Sequence, residues 1–201
     1  MVSIEDRRER ERTARRQLIV ATARALAEAE GWDAVTTRRL SAEIEYSQPV
    51  LYKHFAGLQQ IADAVALDGY SEIAEAIAAA TAAGGTAEAV LTRIAWAYLG
   101  FARDNPAVYD AMFTRVSALR FAEQDTPAPL TAAFAALRDA VGRVAGGRNV
   151  DALTEVFWAA LHGLVTLGGT GRLPGERMGE RVGLLVAQFT GLQPLAQQDH
   201  R

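Results

Sequence analysis

The segment YSQPVLYKHF, residues 46–55, concentrates polar and aromatic side chains in a stretch too short to bury them all. If Ser47 is an N-cap, Pro49 lies in the first helical turn, where its missing N–H removes no helical hydrogen bond. Leu51 and Phe55 are four residues apart and share the inward face of this helix. We therefore predict a short helix that packs on its neighbours and leaves its outer face available to a partner.

A second short helix precedes this one. Thr36 or Thr37 can act as its N-cap, and Leu40 and Ile44 give it an apolar side. Two short helices joined by a tight turn form a helix-turn-helix, whose second helix enters the major groove of DNA.

The residue types of the outer face suit DNA binding. Glutamine can form a bidentate bond with a base edge and valine can contact a thymine methyl, whereas tyrosine, lysine and histidine reach phosphates. The candidate DNA-binding residues are Thr37, Arg38, Gln48, Pro49, Val50, Tyr52, Lys53 and His54. Two of these assignments have a structural alternative, since Tyr52 is also typical of a core position and His54 of an ordinary surface position. For Phe55 the core position is the stronger prediction.

Composition and charge exclude several function classes. The absence of cysteine excludes disulfides, thiolate ligands and a cysteine nucleophile, and His54, His162 and His200 are too far apart to indicate a metal site. We find neither a cofactor-binding motif nor a catalytic triad pattern, so an enzyme is not expected. No signal peptide or membrane-spanning run is evident, which favours a cytoplasmic protein.

The net charge of −3 does not favour a generally basic nucleic-acid binder. Its distribution is uneven. Residues 1–55 carry ten basic and nine acidic side chains, a sum of +1, and six arginines against two glutamates lie within residues 7–16. This segment is compatible either with DNA contact or with a solvated helix end.

Apolar periodicity predicts an all-α chain of about nine helices. Leu18, Thr22, Ala25, Leu26 and Ala29 mark the first helix, which Gly31 ends. The later predicted helices are a long one from Gln59 to about Thr81 and then Ala87–Asp104, Ala107–Leu119, Leu130–Ala145, Asp151–Leu167 and Glu176–Thr190. We predict a helix-turn-helix domain over residues 1–57, joined through the long helix to an effector-binding and dimerisation domain over residues 58–201.

The run TTRRLSAEIEYSQPVLYKHF, residues 36–55, with the helix before it, closely resembles the DNA-binding domain of the TetR family of transcriptional repressors. The resemblance covers about Gln17–Val65 and implies that Thr37 and Tyr52 contact phosphates while Arg38, Gln48, Pro49 and Val50 face bases. Lys53 and His54 would lie at the DNA backbone.

Two positions depart from the family pattern. Glu45 occupies the turn position where the family has glycine, and Leu58 occupies the position of a phosphate-binding lysine. Leu58 would remove one phosphate contact, with either a lower affinity or an altered salt slope, and Glu45 adds negative charge near the DNA face, so the strength of DNA binding stays open.

The C-terminal part contains two very apolar helices. The run FWAALHGLVTLG, residues 157–168, and the last helix can pair with their symmetry mates as a four-helix dimer interface, as the resemblance also implies. The spacing of Trp158, His162 and Gly163 resembles a family subgroup named for its Trp-His-Gly pattern.

A regulatory ligand would need a mostly apolar site with a few polar groups. The candidates are Trp96, Phe101, Tyr109, Met112, Phe113, Phe134, Trp158 and His162, although aromatic residues on apolar helices are more often core. We predict a homodimeric repressor that binds a palindromic operator in double-stranded DNA and responds to a small, largely apolar effector. The alternatives are a ligand-independent DNA-binding regulator and a small-molecule-binding helical dimer with weakened DNA binding.

Overall fold

The computed structural model describes residues 3–115 and 126–191, and all regular elements within these ranges are helical. The α-helices are α1 (Ile4–Glu30), α2 (Thr37–Glu43), α3 (Gln48–His54), α4 (Leu58–Ala82), α5 (Ala87–Asp104), α6 (Pro106–Asp110), α7 (Ala128–Gly142), α8 (Val150–Gly169) and α9 (Met178–Gly191). Short 3₁₀ turns occupy Trp32–Ala34 and Gly175–Arg177, and α6 continues as a π-helical segment, Ala111–Arg115. The predicted all-α class is confirmed.

α1 is longer than the periodicity predicts. It begins at Ile4 because Ser3 and Asp6 form a capping box, in which each side chain accepts the backbone N–H of the other residue. The predicted apolar stripe is also largely wrong. Leu18 is 43% exposed, and the residues that α1 buries are Ile19, Val20, Ala23, Leu26 and Ala27.

The predicted helix Ala107–Leu119 changes its geometry after Asp110. Its continuation to Arg115 is π-helical, and the last predicted residues lie outside the described ranges. The Tyr70 hydroxyl donates a 2.9 Å hydrogen bond to the Met112 carbonyl, which satisfies one backbone acceptor of the π-helical segment.

The chain divides into two compact units. The first comprises residues up to Tyr70 together with Asn105–Pro127, and the second comprises Ser71–Asp104 and residues from Ala128 onward. The division falls within α4 rather than at residue 57. It separates compact units, whereas the predicted boundary separates a DNA-binding from an effector-binding domain, so that boundary stays a prediction.

The first unit gathers α1 to α3 on one buried cluster. Leu40 of α2, Leu51 of α3 and Ile61 of α4 are at most 2% exposed, as is Ile19 of α1, and α2 packs against both α1 and α3. Each buried leucine contributes about 2–5 kcal/mol relative to alanine. This core fixes the orientation of α3, which is too short to be stable alone.

The second unit packs α5 against α8 and α9. Phe157 of α8 and Phe189 of α9 form an edge-to-face pair with ring centroids 4.9 Å apart. Arg148 donates to the Val144, Ala145 and Phe189 carbonyls, so one guanidinium satisfies acceptors in the segment after α7 and near the end of α9.

Candidate nucleic-acid interface

The turn between α2 and α3 sets the angle of the helix-turn-helix. The Thr36 hydroxyl accepts the Arg39 N–H at 3.1 Å, which confirms the predicted N-cap of α2. At the other end Glu45 adopts a φ of 55°, and the Tyr46 N–H donates to the Ser41 carbonyl at 3.0 Å. This is a Schellman-type helix end in which glutamate occupies the left-handed position usually taken by glycine.

α3 begins as the sequence predicts, with one difference. Ser47 has N-cap backbone angles but its hydroxyl makes no capping bond, and the Val50 N–H donates to the Ser47 carbonyl instead. Pro49 occupies the first turn and removes one of the N–H groups that a serine cap could accept. Leu51 and Phe55 are each 2% exposed, so the predicted inward face is confirmed.

The eight predicted DNA-binding residues all lie at the surface of the first unit. Five are exposed, namely Arg38, Gln48, Pro49, Tyr52 and Lys53. Three are half-buried, namely Thr37, Val50 and His54.

Adjacent arginines of α2 differ in their contacts. Arg39 donates to Glu30 and Glu43 at 2.9 Å, and its hydrogen bond to Glu43 and the charge of Glu30 raise its pKa. The side chains of Arg38, Gln48 and Lys53 make no hydrogen bond or ion pair within the described ranges. A surface that binds DNA requires such side-chain donors, which have no intramolecular partner and lie on helices held in place by a buried core.

Sequence reasoning missed Arg16. Its guanidinium lies 4.0 Å from the Phe55 ring centroid, and Nη1 donates to the His54 carbonyl at 2.9 Å. This places a cation at the C-terminal end of α3, where the helix dipole favours it. The contact joins residues 38 apart, so no local pattern could have revealed it.

His54 lies in a strongly cationic environment. Partial burial lowers the pKa of its imidazole, and the nearby charges of Arg12, Arg15, Arg16 and Lys53 lower it further. Arginines of α1 therefore lie close to the end of α3, and the electrostatic potential there favours an anionic partner.

Leu58 begins α4 at the position where the family resemblance expects a phosphate-binding lysine. It is 38% exposed and, with Trp32 and Arg115, lines a surface crevice of about 310 Å³. The position therefore faces solvent and could hold a longer side chain.

The eight predicted effector residues are divided between the two units. Tyr109, Met112 and Phe113 lie in the first unit, where the Tyr109 and Phe113 ring centroids are 4.6 Å apart. The other five lie in the second unit: Trp96, Phe101, Phe134, Trp158 and His162.

The polar atoms of two predicted effector residues have partners inside the second unit. Trp158 Nε1 donates to the Tyr98 hydroxyl at 3.2 Å. The ring of His162 lies 3.4 Å from the Thr166 hydroxyl, and burial lowers the pKa of this imidazole.

A surface cavity of about 390 Å³ lies between α5, α8 and the start of α9. Its wall includes Trp96, Gly100, Val165 and Met178, and Trp96 is the single predicted effector residue in it. Trp96 is 45% exposed, an unusual position for tryptophan without a partner. The cavity is mostly apolar, so it would suit a small apolar ligand.

The outer faces of α8 and α9 are apolar and uncovered. Val156 is 59% exposed, Leu167 40% and Leu184 58%. By length and composition alone α8 could also cross a membrane, and only 17% of its most apolar stretch is buried in this chain. A set of exposed apolar side chains on adjacent helices indicates contact with another molecule.

Comparison with known proteins gives two family matches. Residues 19–65 match the family of bacterial regulatory proteins called tetR, and residues 91–189 match the tetracyclin repressor-like C-terminal domain. Over 156 residues the chain is 30% identical to the HTH-type transcriptional regulator Rv0681 of Mycobacterium tuberculosis, covering 78% of this chain and 71% of the relative.

Solved structures show the same fold. A protein of unknown function from Rhodococcus sp. RHA1 superposes with a TM-score of 0.71 at 25% identity, covering 88% of this chain and 93% of the other. The TetR family transcriptional regulator PfmR of Thermus thermophilus gives a TM-score of 0.56 at 16% identity, covering 87% and 95%.

Proposed function

The chain belongs to the TetR family of transcriptional regulators, and we propose that it binds a palindromic operator as a homodimer that a small, largely apolar effector releases. As a member of this family it is a DNA-binding regulator, and a regulatory rather than an enzymatic role follows. We place it in the cytoplasm, where its DNA target lies.

The DNA-binding proposal is supported by one contrast between the two sides of α2 and α3: the inward side chains are buried, whereas outward donor side chains have no partner. Leu40, Leu51 and Phe55 fix α2 and α3 from inside, while the side chains of Arg38 and Gln48 remain uncommitted outside. Arg38 would bind a guanine or a phosphate, and Gln48 an adenine edge. Tyr52 and Lys53 would bind phosphates and set the register.

Selection of binding sites from random duplex DNA with the purified protein tests this proposal. We expect an enriched palindrome whose half-sites lie one helical turn, about 34–36 Å, or a multiple of it apart. Its affinity should fall steeply with salt, because phosphate contacts release counterions. A failure to enrich any site, even at low salt, would favour a helical dimer with weakened DNA binding.

The exposed apolar faces of α8 and α9 support the dimer. Stable protein interfaces bury about 800 Å² per partner, and the uncovered side chains of these two helices would supply its apolar centre. A second copy offers the same surface, so a two-fold arrangement can bury both at once. Sedimentation equilibrium should give twice the chain mass without DNA.

The apolar cavity beside Trp96 supports the effector site. A reporter strain screened with small apolar compounds would identify an inducer, and Gly100→Leu would then test the site. A Cβ at Gly100 meets no atom within 4 Å, and leucine favours a helix over glycine by about 1 kcal/mol, so the variant should fold.

Gly100→Leu should retain DNA binding and require at least about tenfold more inducer, which corresponds to about 1.4 kcal/mol. His162→Ala should respond as the unmodified protein does, because His162 does not line this cavity. The opposite result would place the effector site at His162. If no compound releases the protein from DNA, a ligand-independent regulator is favoured.

A further inference from the structure

Apart from Arg16, which contacts Phe55 and the His54 carbonyl, the first half of α1 makes no described contact with the helix-turn-helix core. Residues 4–18 are all exposed and precede residues 19–65, which match the tetR DNA-binding family. The segment is nevertheless helical from its first turn, which Ser3 caps. Propagation from the packed second half of α1 and the Ser3 capping box keep this segment helical, so its exposed side chains are available to a partner.

Arginines occupy one line along this segment: Arg8, Arg12 and Arg15. These arginines are spaced by four and three residues, so they lie on the same side of a helix. Continued into the second half of α1, the line passes through three buried residues, Ile19, Ala23 and Leu26. The arginine line therefore extends the side of α1 that faces the rest of the helix-turn-helix.

Contacts at the end of α3 also indicate that this side of α1 faces the helix-turn-helix. Arg16, next to the line, contacts Phe55 and the His54 carbonyl at the end of α3. Arg12 and Arg15 are close enough to His54 for their charges to lower its pKa. The arginine line and Lys53 thus form one cationic surface.

The charges on this line are uncompensated. Arg8, Arg12 and Arg15 make no ion pair within residues 3–115 and 126–191. Arginines on the other side of the same segment do have partners. Arg7 lies 3.9 Å from Glu11, and Arg10 donates to the Asp6 carbonyl at 3.2 Å. The clustering of like charges is unfavourable in the unbound chain, and a polyanion would relieve it.

We propose that Arg8, Arg12 and Arg15 form a second DNA contact, which binds the phosphate backbone flanking the half-site that α3 reads. The inference rests on the proposed DNA function and adds a surface outside the matched family region. These arginines would contribute affinity and salt dependence but no base preference, because phosphates carry no sequence information.

The test compares two double variants with the same change in charge. Arg12→Ala/Arg15→Ala removes the α3 side of the segment, and Arg7→Ala/Arg10→Ala removes the opposite side. Affinity for the selected operator is measured against salt concentration. The first variant should reduce the slope of log K against log salt by about 0.9 for each lost contact, up to about 3.6 for a dimer, and should leave the selected sequence unchanged. The second variant should keep the slope of the unmodified protein.

Shortening the DNA provides an independent readout. On a duplex trimmed to the two half-sites, the unmodified protein should bind as weakly as Arg12→Ala/Arg15→Ala, and on the longer duplex it should bind more tightly. Circular dichroism checks that both variants keep their helix content. Equal salt slopes for the two variants, or no dependence on duplex length, would overturn the inference. If the unmodified protein binds no duplex at all, the proposed DNA function fails instead.

Discussion

Within residues 3–115 and 126–191, two surfaces carry side chains without partners, and the chemistry of these side chains differs. On α2 and α3 the uncommitted groups are polar donors such as Arg38 and Gln48, whereas on α8 and α9 they are apolar groups such as Val156 and Leu184. Polar donors indicate an anionic partner and a strong effect of salt. Apolar side chains indicate burial against a similar surface, which salt weakens little.

The largest expected effect comes from charging the apolar surface. Val156→Glu/Leu184→Glu would bury four carboxylates in a dimer, so we expect the dimer dissociation constant to rise at least about 100-fold, or roughly 3 kcal/mol. Operator affinity should fall with it, because a monomer reaches only one half-site. Ile4→Glu is the control in the sedimentation assay alone, since Ile4 is 65% exposed and lies in the first unit, but its position four residues before Arg8 excludes it from the operator measurement. A double variant that sediments as a dimer would show that this surface is not the interface.

The next largest effect is a difference in operator binding between alanine variants of two adjacent arginines of α2. Arg38→Ala should lower operator affinity by about 1–3 kcal/mol per half-site and relax the preference at one base, as expected for loss of a bidentate base contact. Arg39→Ala removes the same charge from a residue already bound to Glu30 and Glu43, so its effect should be smaller and independent of sequence. Repeating the site selection with each variant distinguishes them. An equal loss of affinity in both variants, without change of sequence, would mean that Arg38 binds phosphate only.

A lysine at position 58, where the family has one, would add a cation to the polar surface and so increase its difference from the apolar surface. Leu58→Lys should steepen the salt slope of operator binding by about 0.9 per protomer, because the exposed position at the start of α4 gains one phosphate contact. Leu58→Gln is the control for loss of the leucine side chain without added charge. If the lysine variant shows the slope of the glutamine variant, residue 58 does not reach the DNA backbone.

Glu45 has a strained backbone conformation and a negative charge, and two variants distinguish the effect of the strain on stability from the effect of the charge on DNA binding. Glu45→Gly should raise the free energy of unfolding by about 0.5–1 kcal/mol, because glycine adopts the left-handed conformation without the steric penalty. Glu45→Ala removes the charge but keeps the strained φ of 55°, so it should not stabilise the fold. Urea unfolding at fixed protein concentration measures both. A similar rise in operator affinity in the two variants would report the charge alone.

Local patterns predicted most of the helices. α5 has the predicted bounds because Asn105 and Pro106 end one helix and begin the next, and Thr36 is the N-cap of α2 as predicted. The N-terminal extension of α1 also had a local signal, the spacing of Ser3 and Asp6, which the apolar periodicity of the second half obscured.

Long-range contacts could not be predicted in this way. The Glu28 carboxylate accepts the N–H groups of Ala107 and Val108 at 3.1 and 3.0 Å, and Trp32 Nε1 donates to the Ala107 carbonyl at 2.9 Å. These contacts join residues 75–80 apart and hold α6 in the first unit. No spacing in the sequence predicts them, and for that reason the predicted boundary differs from the division into compact units.

The smallest expected effect concerns pH and tests whether His54 belongs to the DNA surface. Burial and the neighbouring cations lower the pKa of His54 in the unbound protein, so less of its imidazole is protonated at pH 7 than in an ordinary histidine. Phosphates would offset the charges of Arg12 and Lys53 and raise this pKa, and by linkage protonation would then favour DNA binding. Operator affinity should therefore rise severalfold as the pH falls from 7.5 to about 5.5, by less than the factor of about ten per protomer that one pKa unit allows.

Folding stability should change in the opposite direction. The lowered pKa of His54 favours the folded state above the ordinary histidine pKa of about 6.5, and this contribution is lost as the pH falls through the lower folded value. His54→Gln should remove the contribution of His54 to both profiles. His162, whose pKa burial also lowers, still titrates in that variant, so a smaller fall in stability on acidification should remain. Fluorescence anisotropy of the operator at each pH and urea unfolding of the unbound protein give the two profiles. Operator affinity that rises on acidification equally in His54→Gln and in the unmodified protein would place His54 away from the phosphates, and the cationic surface would then act through its arginines and Lys53 alone.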